Sequence, residues 1–359
     1  MARDMAEDRA QTQGAPQGDV EGLEEQERGF ARIAALVEGA GEVAICAHTS
    51  PDGDALGSGL ALALAIRERW PEKQVVNLLA DDAPVPRIYR FLPGSDGFVR
   101  ASEYDRVPDL FVVVDLSALS RLNNARPICE AAPHVAIIDH HPCEEPFGDA
   151  YVIRPEAAAA GVIVTEFVRF LGVEVTPDMA QCLFCAISTD TGRFQYQNAD
   201  AEAFRVASGL VEAGANPSLV SLNVYQSFRL QYLHLESLVL GRIVTFEKGR
   251  IAYSYATASD FERTGADLDE SDGLIDDVRS VAGSEVALFL KEGPGGRVRG
   301  NLRSKGELDV AQVAQRVGGG GHKAAAGFTI EGDVDEAFST VMPMLTELLE
   351  GAASEGEAE

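Results

Sequence analysis

Three apolar runs constrain this chain more than any other feature in it. Residues 43–47 (Val-Ala-Ile-Cys-Ala), 110–114 (Leu-Phe-Val-Val-Val) and 135–138 (Val-Ala-Ile-Ile) show no alternation of polar and apolar side chains. Strands of that composition are buried on both faces, as in a parallel sheet covered on both sides. Each run stops at a side chain able to bind a metal: His48 after the first, Asp115 after the second, and Asp139, His140 and His141 after the third. In an open α/β sheet, ligands bind just beyond the carboxyl ends of the strands.

The first run continues as His-Thr-Ser-Pro-Asp-Gly-Asp-Ala-Leu-Gly-Ser over residues 48–58, then as a small, apolar stretch to Ile66. This pattern predicts strand, sharp loop and helix. Pro51 and Gly53 turn the loop, and Asp54 is the expected helix cap. His48, Asp52 and Asp54 thus share one short loop, and an imidazole with two carboxylates can close on a divalent cation. An acidic turn with a capping aspartate would explain that loop taken alone. It does not explain the two further strand ends, nor Asp190. A helix opened by Thr176-Pro177-Asp178 delivers that last carboxylate at its far end. Cys182 and Cys185 lie inside the same apolar helix with no second cysteine pair, which reads as core packing rather than half a zinc site. His134 and His234, without carboxylate company in sequence, read as structural or surface residues.

Hydrophobic residues make up 46% of the 359, so the body of the chain is globular and long enough for two domains. The formal net charge is -27; residues 1–28 and 347–359 together account for -10, leaving -17 on the body. Such a surface repels long polyanions but not a short nucleotide held by metals and a few local cations. The five cysteines follow no disulfide spacing, no signal peptide precedes them, and no apolar stretch is long enough to span a bilayer. A reducing cytoplasm is the expected location.

The expected organisation is an acidic, disordered tail over 1–28, in which only the end is helical. An α/β domain with a mainly parallel sheet flanked by helices follows over 29–205. A helical linker over 206–238 leads to a smaller α/β domain over 239–350 and an acidic tail over 351–359. Helices are expected over 24–37 and 156–170. In the second domain, alternating apolar residues over 242–246, 251–255, 286–290 and 297–302 predict a mostly antiparallel sheet. Residues 318–327 (Gly-Gly-Gly-Gly-His-Lys-Ala-Ala-Ala-Gly) read as a glycine-rich loop. Glycine runs are plain loops in most proteins. Here Arg303 and Lys305 lie near in sequence, His322 and Lys323 follow, and glycines let a phosphate approach backbone N–H groups.

Residues 48–58, Asp115, Asp139-His140-His141 and Thr189-Asp190-Thr191-Gly192-Arg193-Phe194 resemble the four motifs of the DHH phosphoesterase family. Asn301-Leu302-Arg303-Ser304-Lys305-Gly306 and residues 318–327 resemble the associated DHHA1 domain. The resemblance covers nearly the whole chain except both tails, and the two-domain length is most similar to the oligoribonuclease and pAp phosphatase branch. It implies two manganese ions, one held by His48, Asp52 and Asp115, the other by Asp54, Asp115, His140 and Asp190, with Asp115 bridging. It further implies that Asp139 orients its neighbours and that His141 faces the scissile phosphate as charge stabiliser or proton donor. Arg303, Ser304, Lys305, Gly319, Gly320, Gly321 and His322 would bind the substrate. Carboxylates and imidazoles without thiolate suit manganese. Two ions about 3.5–4 Å apart can activate a water and steady both oxygens of an in-line displacement. One departure is the alanine run at 157–160, where that branch often carries small hydroxyl residues.

The expected function is hydrolysis of very short RNA to mononucleotides and removal of the 3′-phosphate of 3′,5′-bisphosphoadenosine (pAp). Turnover of cyclic or linear dinucleotides is the near alternative. A long-strand exonuclease would need a basic groove and an added nucleic-acid-binding domain, and the chain shows neither, so no long duplex and no membrane is expected as a partner. A non-catalytic nucleotide-binding regulator is the alternative from another class, and it would bind nucleotide without releasing phosphate. A homodimer is expected from the frequency of such assemblies.

Overall fold

Burial on both faces is what the apolar runs demand, and the sheet of the first unit meets it. The computed structural model describes residues 17–356 apart from Ser117, Glu144 and Glu307; the side chains of residues 17–21, 23, 322 and 352–356 are outside the description. The chain divides into two compact units, Met1–Gln226 and Ser227–Glu359. The boundary falls within residues 206–238, the stretch expected as a linker.

In the first unit, β1 (Glu42–Cys46), β2 (Gln74–Leu79), β3 (Val99–Arg100), β4 (Leu110–Val114), β5 (His134–Asp139) and β6 (Ala150–Ile153) pair in the order β3-β2-β1-β4-β5-β6. Every pair is parallel. The chain builds outward from β1 through β2 and β3, then returns to the opposite side of β1 for β4. The carboxyl ends of β1 and β4 therefore flank a topological switch point, where the connections leave a crevice.

Helices α1 (Gln17–Gly39), α2 (Gly53–Arg69), α3 (Arg126–Ala131), α4 (Ala160–Phe170), α5 (Pro177–Asp190), α6 (Ala201–Glu212) and α7 (Pro217–Val220) belong to this unit. The period of two divides each central strand between two cores. Val43, Ile45, Leu110, Val112, Val114, Ala136 and Ile138 join the cluster built with α1, α2, α4, α5 and α6. Ala44, Cys46, Phe111, Val113 and Ile137 join a second cluster with Leu122, Ala125 and Cys129. Cys182 and Cys185 are buried in the first of these cores.

Three local differences from expectation have physical causes. Helix α1 begins at Gln17, so residues 17–28 are helical; Phe30, Ile33 and Val37 anchor the helix in the core, and residues 1–16 lie outside the described ones. Helix α2 is capped by Asp52, whose Oδ1 accepts from the amides of Asp54 and Ala55 at 3.0 Å each. Asp54 sits within the first turn instead. Helix α4 begins at Ala160, four residues later than expected, because the preceding main chain is committed elsewhere: the Ala157 carbonyl accepts from His140, and Ala159 is extended.

The second unit carries α8 (Leu230–Gly241), β7 (Val244–Phe246), β8 (Ile251–Ala256), α9 (Ala258–Thr264), α10 (Leu274–Arg279), β9 (Val286–Gly293), β10 (Arg297–Ser304), α11 (Val310–Arg316), β11 (Gly320–His322), β12 (Ala325–Glu331) and α12 (Val334–Gly356). The strand order is β11-β12-β10-β9-β8-β7, antiparallel throughout except for β8 with β9. Val286, Leu288 and Leu290 face the core shared with α11 and α12; Ala287 and Phe289 face the core shared with α8 and α10. Helix α8, expected as linker, is thus part of the second core through Tyr232, Leu235 and Val239. Helix α12 runs on to Gly356, past the expected start of the acidic tail, and residues 357–359 lie outside the described ones. Among the described residues no helix is long and apolar enough to cross a membrane.

The most intimate helix crossing is that of α2 and α5. A Cβ on Gly57 would collide with the Cys182 carbonyl oxygen and lie 3.2 Å from Ala186 Cβ. Gly57→Ala is therefore expected to destabilise the first unit by about 1–3 kcal/mol through overpacking. Urea denaturation followed by far-UV circular dichroism measures this, and an unchanged midpoint would contradict so close a crossing.

Candidate metal centre

Four chain segments deliver their polar side chains to the carboxyl edge of the parallel sheet. His48 and Asp52 come from the loop after β1, Asp54 from the first turn of α2, and Asp115 from the end of β4. Asp139 and His140 come from the end of β5, and Asp190 from the last turn of α5. Asp115 takes a left-handed backbone with φ of 58°, tolerable for an aspartate. Its amide still donates to Ile138 O at 3.0 Å, so the strand pairing with β5 persists while the chain turns.

The two oxygens of Asp115 face two different imidazoles. Oδ2 lies 3.3 Å from His48 Nε2, and Oδ1 lies 3.4 Å from His140 Nε2. His48 Nε2 is also 4.0 Å from Asp52 Oδ2. His140 Nε2 is 3.7 Å from both Asp54 Oδ2 and Asp190 Oδ2. Ligand atoms of His48, Asp52 and Asp115 all lie within 4.8 Å of one another, as do those of Asp54, His140 and Asp190, and those of Asp115, His140 and His141. Asp115 and His140 each belong to two of these three sets. The sequence-derived ligand candidates His48, Asp52, Asp54, Asp115, His140 and Asp190 are thus brought into one cluster.

The remaining ring nitrogens and lone pairs are held by partners outside the cluster. His48 Nδ1 is 2.8 Å from Thr49 O, and His140 Nδ1 is 3.1 Å from Ala157 O, so Nε2 is the inward atom of each ring. Asp139 does not join the ligand sets of His48, Asp52, Asp54 and Asp190. Its Oδ1 accepts from the His140 amide at 2.8 Å and stands 2.8 Å from His141 Nδ1. Asp54 is fixed by Ser58 Oγ at 2.9 Å and by the Ala160 and Gly161 amides at 2.7 and 2.9 Å. Those two amides open α4, so Asp54 caps a helix 106 residues further along the chain.

The alanine run at 157–160 finds its role here. All four side chains are buried. The segment serves the centre through its main chain: the Ala157 carbonyl holds His140, the Ala160 amide holds Asp54, and the Ala158 carbonyl accepts from Asn198 Nδ2 at 2.9 Å. Hydroxyl side chains are not needed for any of these contacts. Asn198 itself escaped the sequence reading. Its Nδ2 also donates to Asp190 O at 3.1 Å and approaches Asp190 Oδ2 at 3.4 Å, which aims that carboxylate. Only its spacing of eight residues after Asp190 could have hinted at it.

So many like charges in a dry site distort the proton equilibria. Burial raises the Asp54 carboxyl, and the facing Asp115 adds to it, bringing it to about 7 against the opposing pull of His140 and the Ala160 amide. Asp190 moves well upward for the same reasons, burial first and then Asp54, Asp52 and Asp115, although 21% of its side chain stays exposed. Burial would also raise Asp115, but its two histidine neighbours outweigh that and hold it well below the ordinary range. His48 pays a burial penalty that lowers it, yet Asp115 and Asp52 carry it to about 8; His140 is raised well above the usual imidazole range in the same way. Asp115 Oδ1 is buried with no hydrogen-bond partner of good geometry. Uncompensated carboxylates beside inward imidazole nitrogens, with no thiolate among them, form a donor set that fits divalent cations.

The residues expected to bind substrate lie in the second unit. Arg303 on β10 keeps 23% of its side chain exposed; its Nε has no hydrogen-bond partner and lies 3.8 Å from Asp276 Oδ1, while Nη1 donates to Leu302 O. Ser304 follows it on the strand and therefore faces the other side of the sheet, where it is buried. Lys305 Nζ is turned away to Val281 O at 2.7 Å and Ser284 Oγ at 3.2 Å. The expected glycine loop is an edge strand, β11, paired with β12. Gly319 and Gly321 lie so close to β12 that a Cβ on either would strike the carbonyls of Gly327 and Ala325, respectively, whereas Gly320 faces open space. Backbone packing thus claims two of the three glycines expected to meet a phosphate. The register sets Arg303 and His322 on either side of Ala325; the His322 side chain lies outside the described ones.

Comparison with known proteins gives one answer for both units. Residues 42–187 match the DHH family, N-terminal domain, and residues 248–349 match the DHHA1 domain. The bifunctional oligoribonuclease and PAP phosphatase NrnA of Thermus thermophilus is 34% identical over 329 residues, covering 90% of this chain and 95% of that protein. Its namesake from Bacillus subtilis is 27% identical over 286 residues, covering 79% and 87%. The crystal structure of an exopolyphosphatase-related protein from Bacteroides fragilis has the same fold, with a TM-score of 0.82 at 24% identity over 90% of this chain and 96% of that one.

A cation at this centre must displace the protons of His48 and Asp54, whose pKa values are about 8 and about 7. Below those values the groups are protonated and compete with the metal, so affinity for Mn2+ is expected to rise with pH between about 6 and 8. Isothermal titration calorimetry at pH 7 in two buffers of different ionisation enthalpy should report proton release of about one or more per protein. Binding without proton release would contradict this assignment of charges.

Proposed function

The chain belongs to the DHH family of phosphoesterases, its second unit a DHHA1 domain, and on that premise we propose that it hydrolyses short oligoribonucleotides to mononucleotides and converts pAp to AMP with manganese as its metal. The family membership makes it a hydrolase of phosphoester bonds. The observation that carries the finer reading is the sharing of Asp115 and His140 between neighbouring donor sets. One acidic side chain with an oxygen toward each histidine supports a reading in which it serves two cations.

In this reading His48, Asp52 and Asp115 would hold one ion, and Asp54, Asp115, His140 and Asp190 would hold the other. When bound, such ions supply an activated water and neutralise charge on the phosphate oxygens. The protein's own contribution is positional. Asp139 stands against Nδ1 of His141 and so leaves Nε2 as the atom that exchanges a proton with the leaving oxygen or stabilises the phosphate charge. The main chain of residues 157–160 and Asn198 keep His140, Asp54 and Asp190 from relaxing apart. Arg303, with a guanidinium nitrogen unsatisfied by protein, is the group proposed to take the substrate's distal phosphate, where a planar fork can bind two oxygens at once. The identities of the two NrnA relatives support short RNA and pAp as the substrate classes.

The decisive experiment is a substrate panel with Mn2+, running from pAp through ribodinucleotides and cyclic dinucleotides to decanucleotides. Release of AMP from pAp and of mononucleotides from the shortest RNAs is expected, with turnover falling as length grows. Binding without product release would replace the enzyme by a nucleotide-binding regulator. Asp115→Ala should abolish hydrolysis at every Mn2+ concentration, since both ions lose a ligand; wild-type turnover in that variant would reject the bridging role. Arg303→Ala should raise KM for a ribodinucleotide about tenfold or more while leaving Mn2+ affinity unchanged, as loss of a charged hydrogen bond does. An unchanged KM would remove Arg303 from substrate recognition.

A further inference from the structure

We propose that Asp81, which lies in none of the four family motifs, is a positioning residue that sets the loop carrying His48 and Asp52 against the strand end carrying Asp115. The inference rests on the metal-centre reading above and names the side chain that makes one half of it rigid.

Asp81 follows β2, the strand paired with β1 on the side away from β4. Its Oδ2 accepts from the Ser50 amide at 2.6 Å, and its Oδ1 accepts from Asn123 Nδ2 at 2.8 Å. Ser50 lies between His48 and Asp52, and Asn123 lies in the segment that follows Asp115. One carboxylate therefore ties together the chain ends beyond β1 and β4. Both of its partners are residues in costly backbone conformations: Ser50 has φ of 51°, and Asn123 has φ of 41° with ψ of -117°. Such conformations persist only where the surroundings hold them. A second tie runs in parallel, from the Thr49 amide to Arg121 O at 3.0 Å. Two successive amides of the first metal loop are thus anchored, one to the segment after β4 and one to the carboxylate that also holds that segment.

The two proposed cation sites differ in what supports them. Asp54 is fixed by the amides of α4 and His140 by Ala157, with no contribution from Asp81. Asp115, common to both sites, is anchored by its own amide to Ile138 O, so what separates the sites is His48 and Asp52, on the loop that Asp81 holds. Loss of Asp81 should therefore weaken one cation site and spare the other. A residue that merely stabilised the fold would lower the melting temperature and leave both sites alike.

The test uses the full chain and Mn2+ as the probe, with calorimetric titration of the metal-free protein. The wild type is expected to bind two ions. In Asp81→Asn the side chain keeps one acceptor oxygen and cannot accept from both Ser50 and Asn123. The dissociation constant of one ion should rise about tenfold or more, as for other partners that orient metal ligands, and that of the second should stay put. Amide hydrogen exchange of the peptide containing Ser50 should accelerate in the metal-free state. The double variant Asp81→Asn with Asn123→Asp exchanges the two groups: residue 81 accepts from Ser50 through its oxygen and donates to the carboxylate now at residue 123. It should restore both the Mn2+ constant and the slow exchange. Unchanged Mn2+ binding in Asp81→Asn overturns the proposal, as does a double variant no better than the single one. A wild type that binds no Mn2+ overturns the metal-centre reading itself, and this inference with it.

Discussion

Everything in the first unit depends on three carboxylates, those of Asp54, Asp115 and Asp190, being gathered around one buried imidazole, that of His140. Each of the three comes within 3.4–3.7 Å of its Nε2. Charges in a dry interior repel strongly and cost several kcal/mol each to desolvate. The raised pKa values of Asp54 and Asp190 are the direct expression of that cost. A chain that buried them for stability alone would be poorly designed. The arrangement makes physical sense if the carboxylates are held apart from relaxation until a cation compensates them.

Holding them is the task of the surrounding fold, and it uses main-chain groups wherever it can. The α4 amides grip Asp54, the Ala157 carbonyl orients His140, and the close crossing of α2 and α5 through Gly57 brings the helix bearing Asp54 alongside the one bearing Asp190. Main-chain groups have few ways to move once a helix or strand is packed, so they position ligands more firmly than long side chains would. The four alanines at 157–160 are buried in the core to which α2, α4 and α5 also contribute.

A protein with a net charge of -27 is a poor general binder of polyanions. That character is compatible with a substrate of a few nucleotides. Long strands need an extended basic surface to neutralise many phosphates. A short ligand has few phosphates to neutralise and makes no such demand.

Much of this was legible in the residues themselves. Unalternating apolar runs imply a doubly covered parallel sheet because every side chain in them must be buried, and the polar residue ending each run must then lie at a sheet edge. His48, Asp115 and His140 could be named as ligand candidates on that ground, Asp52 and Asp54 from the loop after the first run and Asp190 from its helix end, and the family resemblance assigned them to two ions. What one dimension hides is the partner far away in sequence. Nothing near Asp54 announced that it would accept from the first amides of α4, which left the capping of α2, expected of Asp54, to Asp52. The glycine run gave no sign that Gly319 and Gly321 face the backbone of β12, and Lys305 did not reveal that its amine turns to Val281. Asp81 and Asn198 carried no motif at all. Local pattern determines which segments are strands and where polar groups leave them, because burial is periodic in sequence. Only the packed structure decides which polar groups meet, because hydrogen bonds close between atoms that the chain brings together from any distance.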